Sequence, residues 1–227
     1  MAGANGSGKT TFAMNFSELE NLKFINADEI AKAYDPTDIQ KYKVKAGKEF
    51  FKQLSLSLND SQSFIIETTL SGKYLIKVIQ EAKEKDFEVS LFYLFLETQD
   101  ENIYRVKNRV LNGGHNVPVD DVIRRYYRSR KLFWHTYKDL VDNWVLFFNG
   151  DDNFELVANK TYFKSFIKEW MMNELEKKIL KIASKAVKKA QRDSLKNGVP
   201  NVYSKNKKLY FQMPDGTITQ TIPKQYQ

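Results

Sequence analysis

The spacing of hydrophobic positions changes character repeatedly along the chain, from short apolar runs to the three-and-four spacing of helix faces. Lys23 to Ala27, Ser63 to Ile66 and Val89 to Leu96 are runs of strand length, and Trp144 to Phe148 is another, followed by the turn pair Asn149-Gly150. Between the runs, Val44, Phe50, Phe51 and Leu54 recur at helical spacing within Gln40 to Leu58. Leu75, Ile76, Ile79 and Ala82 share one face of a helix over Leu75 to Lys85. Further helices are predicted over Glu101 to Leu111 and Val119 to Leu140. Strands that alternate with helices build βαβ units, so the pattern predicts an α/β fold, a parallel sheet flanked by helices. Open sheets of this class bind ligands at the carboxyl ends of their strands, which gives the polar residues after each run their interest.

After Asp151 the pattern shifts. Glu155 to Ala158 reads as a short edge strand, and Tyr162 to Lys196 as one long or broken helix rich in lysine. Val199 to Tyr203, Lys208 to Met213 and Thr217 to Ile222 then predict a small β-meander, turned at Lys205-Asn206 and at Pro214-Asp215-Gly216. A boundary is expected near Asn173, dividing the chain into a main domain, 1–172, and an extension of a helix plus a small β element, 173–227.

Residues Gly3 to Thr10 read Gly-Ala-Asn-Gly-Ser-Gly-Lys-Thr, a full G-x-x-x-x-G-K-[ST] phosphate-binding loop. Its glycines let backbone N–H groups converge on a triphosphate, and the helix that follows adds its positive N-terminal end. Lys9 is placed to reach the β- and γ-phosphates and Thr10 to put its hydroxyl on Mg²⁺, with Thr11 in the first helical turn. Gly3, Ala4, Asn5, Gly6, Ser7, Gly8, Lys9, Thr10 and Thr11 are therefore the nucleotide-binding candidates; Lys9 is also a catalytic candidate and Thr10 the metal candidate. In this fold class the loop leaves a buried parallel strand of about five or six apolar residues. Only Met1 and Ala2 stand ahead of it. The expectation is either an apolar β-branched run encoded before Ala2 or a sheet that closes without most of its first strand.

Composition narrows the class. A chain of 227 residues suits one main domain plus an appendage, and 42% hydrophobic with 14% aromatic residues supports a buried core. No run approaches the roughly 18 apolar residues of a membrane span and no signal peptide opens the chain, so a cytoplasmic protein without membrane association is expected. The absence of cysteine excludes disulfides and thiolate metal sites, and two histidines argue against a histidine-built metal centre. The net charge of +8 suits either a nucleic acid or a polyanionic nucleotide substrate.

Two carboxylates fall at ligand-edge positions. Asp28, in Asn26-Ala27-Asp28, can accept a proton from an attacking hydroxyl or help to hold Mg²⁺. It also suits the cap of a helix over Glu29 to Tyr34, and position alone leaves both readings open. Glu67 opens Glu67-Thr68-Thr69-Leu70-Ser71-Gly72, a cluster fitted either to a polar acceptor or to capping the helix near Lys73. Arg105 and Arg109 lie one helical turn apart, and Gly113-Gly114-His115-Asn116-Val117-Pro118 interrupts the chain before Arg124, Arg125, Arg128 and Arg130. A hinged, arginine-rich hairpin beside a phosphate loop predicts a lid whose guanidinium groups bind phosphate oxygens in a bidentate manner. A solvated basic face or a nucleic-acid patch is the alternative, and His115 reads as a loop hydrogen-bonder rather than a catalyst.

Four blocks, Ala2 to Phe12, Phe24 to Ile30, Phe64 to Gly72 and Arg109 to Pro118 running on to Arg124-Arg125-Tyr126, together resemble the zeta toxin family of P-loop kinases, particularly its compact bacterial branch. The resemblance spans nearly all of Ala2 to Asn149. It implies an ATP-dependent kinase that phosphorylates a sugar hydroxyl of a UDP-activated amino sugar and so acts as a toxin. Carried over, Lys9 and Thr10 handle ATP and Mg²⁺, Asp28 is the general base, and Glu67 and Thr68 contact substrate. Arg109 and one of Arg124 or Arg125 are the phosphate-stabilising lid arginines, a choice that stays open. The segment after Asn173, with Ala183, Ala186 and Ala190 on a helix and then Gly198 and a strand pair ending near Asp215-Gly216, resembles small proteins found with such kinases. These look like antitoxins, which implies an inhibitor acting in cis or on another chain; a stabilising or oligomerising extension is the plainer reading. Two other functions fit the loop: a metabolic kinase of the nucleoside or nucleotide type, and a non-catalytic, ATP-dependent nucleic-acid-binding protein. Of these partners nucleic acid is the less expected.

Overall fold

The computed structural model describes residues 1–36, 38–150, 153–171, 174–205 and 208–223. Asp151, Asn173 and Asn206, where a change of pattern, a boundary and a turn are expected, lie outside the described residues. The chain forms two compact units, Met1–Met171 and Met172–Gln227.

The first unit is built on a twisted sheet of mainly parallel strands. β1 (Lys23–Ile25) and β2 (Phe64–Ile66) pair in parallel with Phe24 opposite Ile65. β3 (Ser90–Phe95) and β4 (Asn143–Gly150) pair in parallel with Tyr93 opposite Leu146, and β5 (Asn153–Asn159) runs antiparallel along the far edge of β4. Ala2 joins the two halves by bridging in parallel to both Thr68 and Tyr93, so the spatial order is β1-β2-Ala2-β3-β4-β5. The central position is held by Met1 and Ala2.

Helices cover both faces, as βαβ crossovers require. α1 (Lys9–Leu19) leaves the phosphate loop; α2 (Ala27–Tyr34) and α3 (Ile39–Asn59) follow β1; α4 (Leu75–Glu84) follows β2. α5 (Gln99–Leu111) and α6 (Val119–Leu132) form the hairpin after β3. The predicted helix over Val119 to Leu140 is not uniform: α6 widens into a π-helical turn at Phe133–Tyr137 and ends with α7 (Lys138–Leu140). The period-two alternation of β3 divides the core. Tyr93 and Phe95 pack with Leu75, Phe133, Tyr137, Leu146 and Trp170 on one face. Phe92 turns to the other, where α1 lays Phe12, Ala13 and Phe16 against Ile65. Burial of each such large apolar side chain contributes about 1.5–3 kcal/mol.

Two boundaries differ from the pattern. β4 runs through Asn149-Gly150 instead of turning there, and the helical stretch read from Tyr162 begins only at Phe166. Phe163 bridges to Ala158 and the Lys164 amide donates to the Val157 carbonyl, so the chain is still paired to β5 before α8 (Phe166–Met171) begins.

The second unit holds α9 (Glu174–Lys196) and an antiparallel meander of β6 (Asn201–Lys205), β7 (Lys208–Gln212) and β8 (Ile218–Thr219). α9 stops at Gly198, whose φ of 77° suits glycine, and the Val199 amide donates back to the Ser194 carbonyl. Asn201 Nδ2 donates to the Gln191 carbonyl at 3.2 Å, fastening β6 to the helix, and the rings of Tyr203 and Tyr210 stack across β6 and β7. No helix among the described residues is long and apolar enough to cross a membrane.

Candidate active site

The site starts from the loop between Ala2 and α1. Gly6 has φ of 81°, and a Cβ there would lie 2.7 Å from the Asn102 carbonyl oxygen, so both torsion and space demand glycine. Gly8 caps α1 in a left-handed conformation, with no side-chain cap and no acidic residue in the first turn. The N-terminal N–H groups and the positive end of the helix dipole therefore have no protein anion in that turn, the arrangement that favours a bound one. Ser7 Oγ is fully buried and lacks a partner among the described residues. These features fit a phosphate group. Thr11 is exposed in the first turn of α1.

Lys9 is 6% exposed, its ammonium donating to the Ala4 carbonyl at 2.9 Å and lying 3.7 Å from Glu67 Oε1. Burial lowers its pKa from the ordinary lysine value while the Glu67 carboxylate works against that shift, the signature of a cation short of negative charge. Glu67 ties three elements together. Its Oε1 accepts from the Thr10 hydroxyl at 3.1 Å and its Oε2 from Asn26 Nδ2 at 2.6 Å. Thr68 instead points into the structure: it is buried, its Oγ1 accepts from the Leu70 amide at 3.0 Å, and it shares a hydrogen bond with the Tyr74 hydroxyl. The Thr10 hydroxyl and Glu67 carboxylate form an all-oxygen pair suited to a hard cation. Among the described residues no group of three or more His, Cys, Asp or Glu side chains could hold a metal ion.

Asp28 does not cap its helix. The cap of α2 is Asn26, whose Oδ1 accepts from the Asp28 and Glu29 amides at 2.7 and 3.3 Å. The Asp28 side chain is half exposed and faces His115 Nε2 at 3.8 Å. Burial lowers the His115 pKa from its ordinary value, and the Asp28 carboxylate opposes that while Arg109, Lys43 and Arg125 add to it. The Arg109 guanidinium donates to the His115 carbonyl at 3.0 Å. Arg109 and Asp28 also lie near enough to influence the Lys9 ammonium.

The hairpin separates the two neighbouring arginines. Arg125 Nη1 donates to Asn5 Oδ1 in the phosphate loop at 3.1 Å and its Nη2 lies 3.6 Å from Asp121 Oδ2, whereas Arg124, the more exposed, meets only Asp121 among the described side chains, at 2.8 Å. Helical geometry explains the split, since residues one apart point about 100° from each other. Lys9, Asp28, Glu67, Arg109 and Arg125 thus converge on one edge of the sheet, and Arg124 stands outside it.

Two residues that position the loop were not singled out by pattern. Asn102 is fully buried in α5, its Nδ2 donating to the Asn5 carbonyl at 2.6 Å. Asn149 Nδ2 donates to the Ser7 carbonyl at 3.0 Å, and Arg105 Nη2 holds the Asn149 carbonyl at 2.9 Å. Asn102 precedes buried Val106 by one helical turn, so a polar residue in the apolar phase was the readable signal.

The zeta toxin family model matches residues 1–162. The chain belongs to the zeta toxin family. An uncharacterised protein of Haemophilus influenzae is 33% identical over 124 residues, 55% of this chain and 88% of that protein. Among solved structures, one from the PezAT chromosomal toxin-antitoxin system of Streptococcus pneumoniae has a TM-score of 0.55 at 15% identity, covering 83% of this chain and 86% of that one. An AvrRxo1-ORF1:-ORF2 complex with ATP gives a TM-score of 0.54 at 18% identity over 70% of this chain and 57% of that one. At these identities the likeness is one of fold, and this zeta toxin family member is P-loop kinase-like.

Proposed function

We propose that the protein is an ATP-dependent kinase that transfers the γ-phosphoryl group to a hydroxyl of a small-molecule acceptor, a UDP-amino sugar, in the cytoplasm. The observation that carries this reading is the meeting of a loop-bound Lys9 with Glu67 and Thr10 in a site where Asp28 is left free of capping duty.

In this reading the acceptor oxygen attacks the γ-phosphorus, the bond from that phosphorus to the β–γ bridging oxygen breaks, and ADP leaves. Asp28 accepts the acceptor's hydroxyl proton. Lys9 neutralises phosphate charge as it develops, and Arg109 and Arg125 approach the transferring group from the hairpin. Thr10 and Glu67 would hold Mg²⁺, which when bound supplies further neutralisation of phosphate charge. Glu67 would also meet the acceptor from the loop side, with Thr68 shaping the turn beneath it. The UDP-sugar assignment rests on the family resemblance, and the toxin-antitoxin setting of the PezAT structure supports an inhibitory partner.

Asp28→Asn tests the chemistry. Transfer to a UDP-amino sugar should fall by about 10²–10⁴-fold while ATP affinity by calorimetry stays within about twofold. Near-normal transfer removes Asp28 from the base role. We further propose that the 173–227 extension restrains the kinase, in cis or on another copy, since an attached inhibitor acts at high effective concentration. Its removal should raise transfer or toxicity to a bacterial host. A shortened chain with an unchanged thermal transition and no added activity overturns the restraint.

A further inference from the structure

The break at Gly113-Gly114 turns the hairpin back toward its own first helix. Gly113 has φ of 82°, and a Cβ on Gly114 would lie 2.5 Å from Arg109 Cγ and 2.9 Å from the Arg109 carbonyl oxygen, so the close return depends on glycine. The Gly114 amide donates to that carbonyl at 2.9 Å. His115 is thereby set between two elements of the site. Its carbonyl accepts from Arg109 Nη2 of α5 at 3.0 Å, while its imidazole, only 15% exposed, turns Nε2 toward Asp28 Oδ2 of α2 at 3.8 Å.

The surroundings decide which form of the imidazole meets that carboxylate. Asp28 acts on it from α2, and Lys43 of α3, Arg109 of α5 and Arg125 of α6 act on it from the other sides. Burial and the three cations favour the neutral ring, and among these neighbours Asp28 alone opposes them. A neutral imidazole serves a carboxylate in one tautomer, with the proton on Nε2 as a donor. Such a donor fixes the direction of the carboxylate and lowers its basicity less than a neighbouring cation would.

Resting on the kinase reading, we propose that His115 is a positioning residue for phosphoryl transfer: its Nε2–H holds one oxygen of Asp28 so that the other meets the acceptor hydroxyl, and its carbonyl holds Arg109. The acceptor's proton goes to the free oxygen of Asp28, and His115 keeps its own. At 3.8 Å the pair is longer than a hydrogen bond, and contacts of this kind shorten when substrate fills the site. Arg109 Nε is buried and has no partner among the described residues, which leaves it as a donor for phosphate. One loop residue thus sets both the base and a lid arginine.

The test compares His115→Ala, His115→Gln, Asp28→Asn and the double variant His115→Ala with Asp28→Asn, all in the full chain with ATP and a UDP-amino sugar. His115→Ala should lower kcat by about 10–100-fold with KM for ATP within about twofold, and His115→Gln, whose amide nitrogen reaches the place of Nε2, should recover kcat to within about fivefold of the parent. Added to Asp28→Asn, His115→Ala should cost less than about twofold more, because the carboxylate it positions is gone. A second readout needs no turnover. The chain has two histidines, His115 and His135, so each imidazole can be followed by proton NMR, and Asp28→Asn should lower the His115 titration midpoint by about 0.5 or more while His135 stays in place. A Gln variant as slow as the Ala variant, or losses that simply add in the double variant, overturns the positioning role. An unmoved His115 midpoint overturns the pairing itself. A parent chain that transfers nothing while the midpoint still follows Asp28 overturns the kinase reading and upholds the pairing.

Discussion

The two units divide the chain's charge unequally. The Met1–Met171 unit carries 24 of the 36 Lys and Arg and 24 of the 28 Asp and Glu, while the remaining 56 residues carry 12 and 4, so the entire net charge of +8 belongs to the second unit. In the first, cations of the site are held one by one: Lys9 against Ala4 and Glu67, Arg109 on His115, Arg125 on Asn5. In the second, Lys185, Lys188, Lys189 and Arg192 stand exposed along α9. Net charge alone therefore says little about the candidate site, where a bound anion would meet a few placed groups and backbone N–H donors.

The sharpest way to break this comparison is to remove one placed cation from the neutral unit. Lys9→Ala should lower ATP turnover by about 10³-fold or more, read in a steady-state assay, because a single buried charge at the loop cannot be replaced by diffuse surface charge. A smaller contrast separates neighbours on α6. Arg125→Ala should cost about 10²–10³-fold in transfer and Arg124→Ala less than about threefold, since only the first reaches the loop. Equal losses would show that the hairpin regroups during turnover. The smallest effect lies in the second unit, where Lys188→Glu combined with Lys189→Glu should weaken retention on a polyanion column and change ATP affinity by less than about twofold.

Much of the parallel sheet was legible because buried strands and amphipathic helices leave distinct periods in the residue pattern. What the pattern hid was tertiary. Asn149-Gly150 has the composition of a turn, yet Asn149 is held by the loop carbonyl of Ser7 and β4 continues through it. Phe163 falls in a helical register, but pairing with Ala158 delays the helix to Phe166. In the site, the phosphate loop and both carboxylates could be found from their place after apolar runs. The direction of each side chain could not: Thr68 turns inward, and the choice between Arg124 and Arg125 depends on the facing of α6 relative to Asn5. Asn102 stayed hidden because its partner, the Asn5 carbonyl, lies 97 positions away.

Asn26 has a consequence for how ligands communicate. One face of its carboxamide accepts from the amides that start α2, the helix of Asp28, and the other donates to Glu67, whose second oxygen holds Thr10 of the phosphate loop. Only one orientation of the amide satisfies both faces, so α2 and the loop are joined through it. If nucleotide and acceptor bind at these two places, any coupling carried by this link is reciprocal: whatever factor nucleotide adds to acceptor affinity, acceptor adds to nucleotide affinity. A single side chain thereby joins the phosphate loop to the helix that carries Asp28.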